Sequence, residues 1–496
     1  MKFEPFYKTY IKTIQAYQLA TNTISFEQMT FAPEKGIPYS NEMLAILQKE
    51  CFQHENNPET IQQIKEYLSR LNSRSLEYKE VSLRLQKIAD TQDIPSDEYQ
   101  AYMQLRNDST MIWHQAKTNN DYELFKPYLK NVVESTLKIS SYSSRFNPDK
   151  PYDYLLDLYE KGMTEEKYDA FFSKIKESII PLIKKVKDSS YTIHDDLLHV
   201  PVEIDKQDIF MKEVLRYLQA DSKRVYLSTT EHPFTSSFSP DDARITTHYY
   251  PDSFLSAILS TVHEYGHALY GLQVDKEFAG TMFYEPYCAA HESQSRFLEN
   301  YIGRSKGFWK ALLPTLQEQF PIFQNTTLDE LYEMINKSEC SCIRTEADEL
   351  TYPLHVLIRY EIEKEMVNGT LDYDQLPEIW ANKYENYLQI RPKTNAEGVL
   401  QDIHWSDGSI GSFPSYALGS AYAAQLYATM KKQIDIEDVL QSNHFEIITE
   451  WLKENVHKYG ASLSMEEIVE KVTKEPFNPD YYINYLVDKY TTLYKL

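Results

Sequence analysis

Residues 263–267 read His-Glu-Tyr-Gly-His, an HExxH pattern inside the stretch SFLSAILSTVHEYGHALYGLQ. On a helix, positions i and i+4 share one face, a turn apart. This spacing aims two imidazoles, His263 and His267, at one divalent cation. Glu264 follows His263 by one residue, rotated by about 100°, and can take the proton of a water held there. A catalytic zinc needs three protein ligands and an open position, so a third donor must come from downstream. Glu277, Glu285, Glu292 and Glu299 are the carboxylates in range. The last three recur every seven residues and would share a helix face. Pro286 marks a helix start and removes Glu285 from the interior. Spacing leaves Glu292 and Glu299 both open. A third histidine at metzincin spacing would stand at 273, which is Gln273.

The elements around this motif read as helices. Phe254, Ile258, Val262 and Leu269 form an apolar stripe that would anchor the motif helix in a core and turn the histidines toward a cleft. Gly266 in mid-helix costs about 1 kcal/mol against Ala and marks a close approach of another backbone or of substrate. Upstream, helical stretches are predicted at 5–30, 40–54, 59–71, 75–90, 96–118, 121–140, 164–188 and 205–220, with Asp121, Thr164 and Asp205 as N-caps. Breaks fall at Pro33–Pro38 and Asn147–Pro151. Residues 224–250, rich in Thr, Ser, Val, Phe and Tyr, read as a small sheet or hairpin. Helices resume at 253–273, 286–303, 307–320, 345–367 and 372–389. A glycine-bearing loop follows at 396–412, and the last ~80 residues are helical. With 13 glycines and 22 prolines in 496 residues, punctuation is sparse, which favours long helices. The chain divides at a composition shift into 1–222, a helical half forming one wall of a groove, and 223–496, the catalytic half. The two are expected to form one continuous unit.

A formal charge of −23 argues against a nucleic acid or an anionic membrane as partner. No run of about 18 apolar residues suggests a transmembrane helix. The first twenty residues show no apolar targeting core. Cys51, Cys288, Cys340 and Cys342 are too few and too irregularly spaced for a disulfide framework. They are expected to be free, mostly buried thiols, in a cytoplasmic protein.

Five further signatures accompany HExxH in order: His232-Pro-Phe234, Asp242-Ala-Arg-Ile-Thr246, His291-Glu-Ser-Gln-Ser295, Ile343-Arg-Thr-Glu-Ala-Asp348 and Gly398-Val-Leu-Gln-Asp-Ile-His-Trp405. Together they resemble the carboxypeptidase Taq family of HExxH metallocarboxypeptidases. The resemblance implies a mainly α, large helical metallopeptidase fold with a deep substrate groove and one small sheet near the active site. It also implies a homodimer and removal of single residues from peptide C-termini with broad specificity. It makes Glu292, in the HESQS signature, the third ligand beside His263 and His267. One Zn²⁺ per chain is expected, and Co²⁺ suits the same donors.

Glu264 would then act as general base and acid. His404 and Tyr416 resemble a His/Tyr pair of related helical metallopeptidases and are candidate donors to the oxyanion. The terminal carboxylate of a substrate calls for a guanidinium, with Arg344 ranked ahead of Arg244. His232-Pro-Phe234 and the residues to Phe238 form a candidate sheet edge for substrate pairing. Asp348 is a candidate acceptor for a ligand imidazole, and His291 a buried neighbour of the metal site. His248, the segment 284–290 and Ser412 depart from the family pattern without touching a proposed ligand. The competing functions are an endo-oligopeptidase or dipeptidyl carboxypeptidase on the same scaffold, or an inactive peptide-binding homologue.

Overall fold

The computed structural model describes residues 1–496. Nine helices come first: α1 (Pro5–Thr30), α2 (Ile37–Glu55), α3 (Pro58–Arg70), α4 (Leu76–Ala89), α5 (Ser96–Asn119), α6 (Tyr122–Ser140), α7 (Pro151–Tyr159), α8 (Glu165–Lys187) and α9 (Ile204–Tyr217). Three strands follow, β1 (Val225–Thr229), β2 (Thr235–Ser239) and β3 (Asp242–Thr247). Then come α10 (Phe254–Gln273), α11 (Cys288–Arg296), α12 (Lys306–Gln319), α13 (Leu328–Ile335), α14 (Tyr352–Val367), α15 (Leu376–Leu388) and α16 (Pro414–Met430). The chain ends with α17 (Ile436–Gln441), α18 (Phe445–Asn455), α19 (Met465–Thr473) and α20 (Asp480–Leu493). The fold is mainly α with one small sheet, as expected. No helix is long and apolar enough to cross a membrane.

Two apolar clusters hold the molecule together. The larger runs from Trp113 to Tyr494 and takes residues from both sides of position 222. The smaller joins α1, α3 and α4 through Tyr7, Tyr10, Ile14, Ile61, Ile64, Tyr67, Val81 and Ile88. On α1 the spacing of Tyr7, Tyr10, Ile11 and Ile14 is that of one helix face. Polar contacts tie this second cluster to the body: Lys79 Nζ donates to the Ser462 carbonyl at 2.7 Å and Arg84 Nη2 to the Gly280 carbonyl at 3.2 Å. The far end of α1 reaches the sheet, where buried Phe26 packs edge-on to Phe234 and Phe238.

The sheet has the order β1-β3-β2, with β1 parallel and β2 antiparallel to β3. This leaves β2 as an edge strand. β3 packs on α10, and its Ala243 and Ile245 are fully buried.

Several boundaries differ from the sequence reading. The stretch 345–367 does not begin as a helix: a 3₁₀ turn spans Arg344–Glu346, and α14 starts only at Tyr352. Pro353 lies in the first turn, where its missing N–H costs nothing, and Asp348 accepts the Leu350 and Thr351 N–H groups just before it. The stretch 286–303 is α-helical only to Arg296 and continues as a π turn, Phe297–Gly303. α7 and α13 are short, at 9 and 8 residues, and below the length at which periodicity identifies a helix. Asp121 and Thr164 cap their helices, but Asp205 does not: Glu203 stands at that N-cap position without a side-chain bond. The four cysteines are free, yet Cys288 is exposed and the others are half-buried, so they are not core thiols.

Candidate active site

α10 carries His263 and His267 one turn apart, their ring centroids separated by 5.0 Å. Its opposite face is held in the core by Phe254, Ile258, Val262 and Leu269, all buried, so the imidazoles face a cleft of about 940 Å³. α11 crosses behind them. A Cβ on Gly266 would stand 2.6 Å from the Gln294 carbonyl oxygen and the Ser295 Cα. Glycine there is the condition for the two backbones to meet, as the sequence suggested. Gly419 of α16 does the same from the other side, since a Cβ would fall 2.7 Å from Glu292 Cβ. The first turn of α11 is fixed by Glu160, whose Oε2 accepts the Ala289 N–H at 3.0 Å.

This packing delivers Glu292 to the histidines. Its Oε2 lies 3.7 Å from His267 Nε2 and 3.9 Å from His263 Nε2. The three donors lie within 4.8 Å of one another. A tetrahedral ion with bonds of about 2.1 Å would hold such atoms about 3.4 Å apart, so binding would draw the three donors together. The surroundings also suit a cation. His263 Nδ1 is 2.8 Å from Glu299 Oε2, an arrangement that keeps the proton on Nδ1 and the Nε2 lone pair toward the centre. Glu292 Oε1 accepts from Arg296 Nε at 2.7 Å, leaving Oε2 for the ion. Two imidazole nitrogens and a carboxylate oxygen are a zinc-type donor set.

The charges follow from burial and pairing. Burial pulls the His263 imidazole down, but Glu292 and the Glu299 hydrogen bond outweigh it and leave its pKa raised. Burial and then the neighbouring His263 hold His267 well below the ordinary histidine value. Burial also raises Glu264. That carboxylate receives the Thr235 hydroxyl on Oε2 at 2.6 Å, so the edge strand reaches the residue next to His263. Thr235, Ser236 and Ser237 of β2 line the cleft, as do Asn22 and Met29 of the adjoining α1.

A second constellation lies farther along the cleft. Arg344 lines it and donates from Nε to Asp402 Oδ1 at 2.9 Å. Arg359 donates to the other oxygen of Asp402 at 2.7 Å. Burial would raise the Asp402 carboxyl, but Arg359 and Arg344 hold it well below the usual carboxylate range. Gln401 Oε1 accepts the Arg344 N–H at 2.9 Å, and the Trp405 indole donates to Glu363 Oε1 at 2.9 Å. The residues of the Gly398–Trp405 signature therefore anchor Arg344 and the loop after it.

Glu363, which sequence reasoning missed, also accepts from Tyr152 OH and the Gly411 N–H, and burial lifts its pKa to about 7. It tethers the loop that leads to Tyr416. The Tyr416 ring lies 5.4 Å from the Arg344 guanidinium and lines the cleft. Burial raises its hydroxyl above the ordinary tyrosine value and keeps it protonated.

Four of the expected residues make contacts other than those anticipated. His404 does not line the cleft; its Nε2 sits 3.2 Å from Tyr416 OH, so it supports that hydroxyl from behind. Burial, followed by Arg344, pushes His404 down to about 4 and leaves it neutral near pH 7. Arg244 pairs with Asp242 at 3.0 Å and stacks 4.0 Å over Phe238, joining β3 to β2. His232 is exposed in the turn before β2 and offers only its backbone carbonyl, to Thr230. Asp348 touches no imidazole; it receives Ser338, Leu350 and Thr351. The carboxylate that holds an imidazole of the HExxH pair is Glu299. His291 does border the cleft, with its Nδ1 3.4 Å from His267 Nδ1. Arg296 and Thr235 were also missed, although Arg296 stands at i+4 from Glu292.

A helical body with a cleft of this kind, floored by an HExxH helix, defines a helical metallopeptidase. The family model described as "Carboxypeptidase Taq (M32) metallopeptidase" matches residues 6–490, and the chain belongs to that family. It is 37% identical over 494 residues to Carboxypeptidase 1 of Bacillus subtilis, covering 98% of this chain and 97% of the relative. Thermostable carboxypeptidase 1 of Thermus thermophilus is 33% identical over 486 residues, covering 95% of this chain and 94% of the relative. The crystal structure of M32 carboxypeptidase from Deinococcus radiodurans R1 superposes with a TM-score of 0.95 at 30% identity, covering 99% of this chain and 100% of that one. The protein is a metallocarboxypeptidase, a hydrolase of peptide bonds.

Proposed function

We propose that the chain removes single residues from free peptide C-termini with broad specificity, using one zinc ion held by His263, His267 and Glu292. The observation that carries the C-terminal preference is the charge count around Asp402. Two buried guanidiniums, Arg344 and Arg359, share that one carboxylate, which leaves Arg344 only partly neutralised beside the cleft. Arg344 spends Nε on Asp402 and keeps its terminal nitrogens for an incoming carboxylate, the bidentate partner a guanidinium suits best.

A zinc ion held by these residues would supply Lewis acidity to a carbonyl and to water. Glu264 takes the proton of the attacking water and returns it to the leaving amine. Its raised pKa suits a base that must later act as an acid. Thr235 fixes the orientation of that carboxylate. Tyr416, held protonated, donates to the oxygen that gains charge in the tetrahedral state, and neutral His404 sets the direction of its hydroxyl. The free edge of β2 offers backbone groups to an extended substrate. The homodimer and the cytoplasmic location suggested by sequence belong to the same reading; the absence of any disulfide among the four thiols suits the latter. The surface charge gives no purchase for nucleic acid or membrane.

The test pairs metal analysis with mass spectrometry of a peptide and its C-terminally amidated twin. The expected result is one zinc per chain, a ladder of single-residue losses and an intact twin. Internal cleavage of both peptides would refute the proposal in favour of an oligopeptidase.

A further inference from the structure

Arg296 has no part in the mechanism above, yet it pairs with two carboxylates in the cleft. Its Nε donates to Glu292 Oε1 at 2.7 Å and its Nη1 to Glu299 Oε2 at 3.0 Å. Its guanidinium lies 4.0 Å over the Tyr352 ring, which fixes the plane of the fork. The side chain is 14% exposed. Glu299 in turn holds His263 Nδ1 at 2.8 Å. One planar group therefore spans the carboxylate proposed as ligand and the carboxylate that orients a ligand imidazole. The π turn begins one residue after Arg296 and contains Glu299; such turns concentrate at functional sites.

We propose that Arg296 is the positioning residue of the metal site: its fork locks Glu292 and Glu299 in register, and through Glu299 it fixes His263. The proposal rests on the reading of His263, His267 and Glu292 as ligands. Charge alone does not account for Arg296. A positive neighbour repels a cation, so an arginine kept only for its charge would weaken the site. Its use lies in geometry, because lysine carries the same charge without the rigid fork.

Arg296→Lys separates the two effects. Co²⁺ serves as probe, read by competition with a chromophoric chelator and by its visible absorption. The expected result is affinity lower by about 10–100-fold, the usual consequence of disturbing a residue behind a metal ligand. A changed Co²⁺ spectrum should accompany it, with metal-free thermal unfolding close to wild type. Glu299→Gln should weaken Co²⁺ by about tenfold by itself, and this variant stands in if Arg296→Lys fails to fold. The double variant should lose less than the sum of the two single losses, since Arg296 and Glu299 are joined in one network. Wild-type affinity and spectrum in Arg296→Lys, or in Glu299→Gln, would overturn the proposal. So would fully additive losses. A wild-type protein that takes up neither Co²⁺ nor Zn²⁺ would instead remove the ligand assignment, and the proposal with it.

Discussion

Gly419→Ala tests whether helix packing, rather than the ligands themselves, sets the metal geometry. The new methyl would stand 2.7 Å from Glu292 Cβ and 3.0 Å from both Glu292 Cγ and the Ala289 carbonyl oxygen. To reach an ordinary contact of 3.4 Å, α11 must withdraw from α16 by about 0.7 Å. On the stability side two effects oppose each other. Alanine gains about 1 kcal/mol over glycine in a helix interior, and overpacking costs about 1–3 kcal/mol. The net loss is therefore about 0–2 kcal/mol. On the functional side nothing compensates. A constellation of this kind tolerates about 0.5 Å of error, and a displacement near 1 Å can cost about 100-fold in rate.

Metal affinity and kcat should both fall by about 10–100-fold, while the metal-free protein unfolds within a few degrees of wild type. Chelator competition, steady-state kinetics and calorimetry read the three quantities. Gly266→Ala should be worse, since its methyl meets backbone atoms that cannot swing aside. Gly36→Ala, with nothing within 4 Å, is the silent control. Wild-type affinity and kcat in Gly419→Ala would refute the claim that α16 holds Glu292 in place.

Other predictions concern charge. Glu264→Gln should keep metal and lose about 10²–10⁴-fold in rate, checked by metal analysis and peptide hydrolysis. Arg344→Lys should raise KM for peptides with a free carboxylate more than it lowers kcat, because the fork is lost and the charge is kept. Asp402→Asn should cost about 3–5 kcal/mol of stability by leaving two buried guanidiniums without their carboxylate, measured by denaturant unfolding. Burial lifts Glu160 to about 8, far above the ~4.3 of an unfolded glutamate. The folded protein then binds a proton that the unfolded chain has lost. Stability from this group is full below about pH 4.3 and declines as pH rises through about 8, by a few kcal/mol in all. Glu160→Gln should therefore raise Tm at pH 8.5 and leave it unchanged at pH 4. An equal shift at both pH values would show that this burial has no titration cost.

What the sequence exposed was whatever lies along one element. The i, i+4 pair of His263 and His267 is a property of a single helix, as is the apolar stripe behind it. Both could be read without knowing what α10 touches. Gly266 was legible for a related reason, since a glycine in a strongly helical run must be explained by something outside it. The hidden part is made of contacts between elements. His263 chooses Glu299 because a π turn carries that carboxylate back across α10, and no periodicity announces such a turn. Spacing therefore left Glu292 and Glu299 equivalent, although one faces the donor set and the other the back of an imidazole. Arg244 shows the converse. A guanidinium in a signature beside the active site suggests substrate, but β-strand alternation decides its face, and the register Tyr226–Arg244–Ser236 places it over Phe238 and Phe26. Arg344 belongs to the same residue type with the opposite outcome. It sits in a 3₁₀ turn ahead of Pro353, where no regular element imposes a face. Asp402, brought in from 58 residues away, is what turns it to the cleft. Residue type names the chemistry a side chain is capable of, and the packing of a second element determines whether it is used.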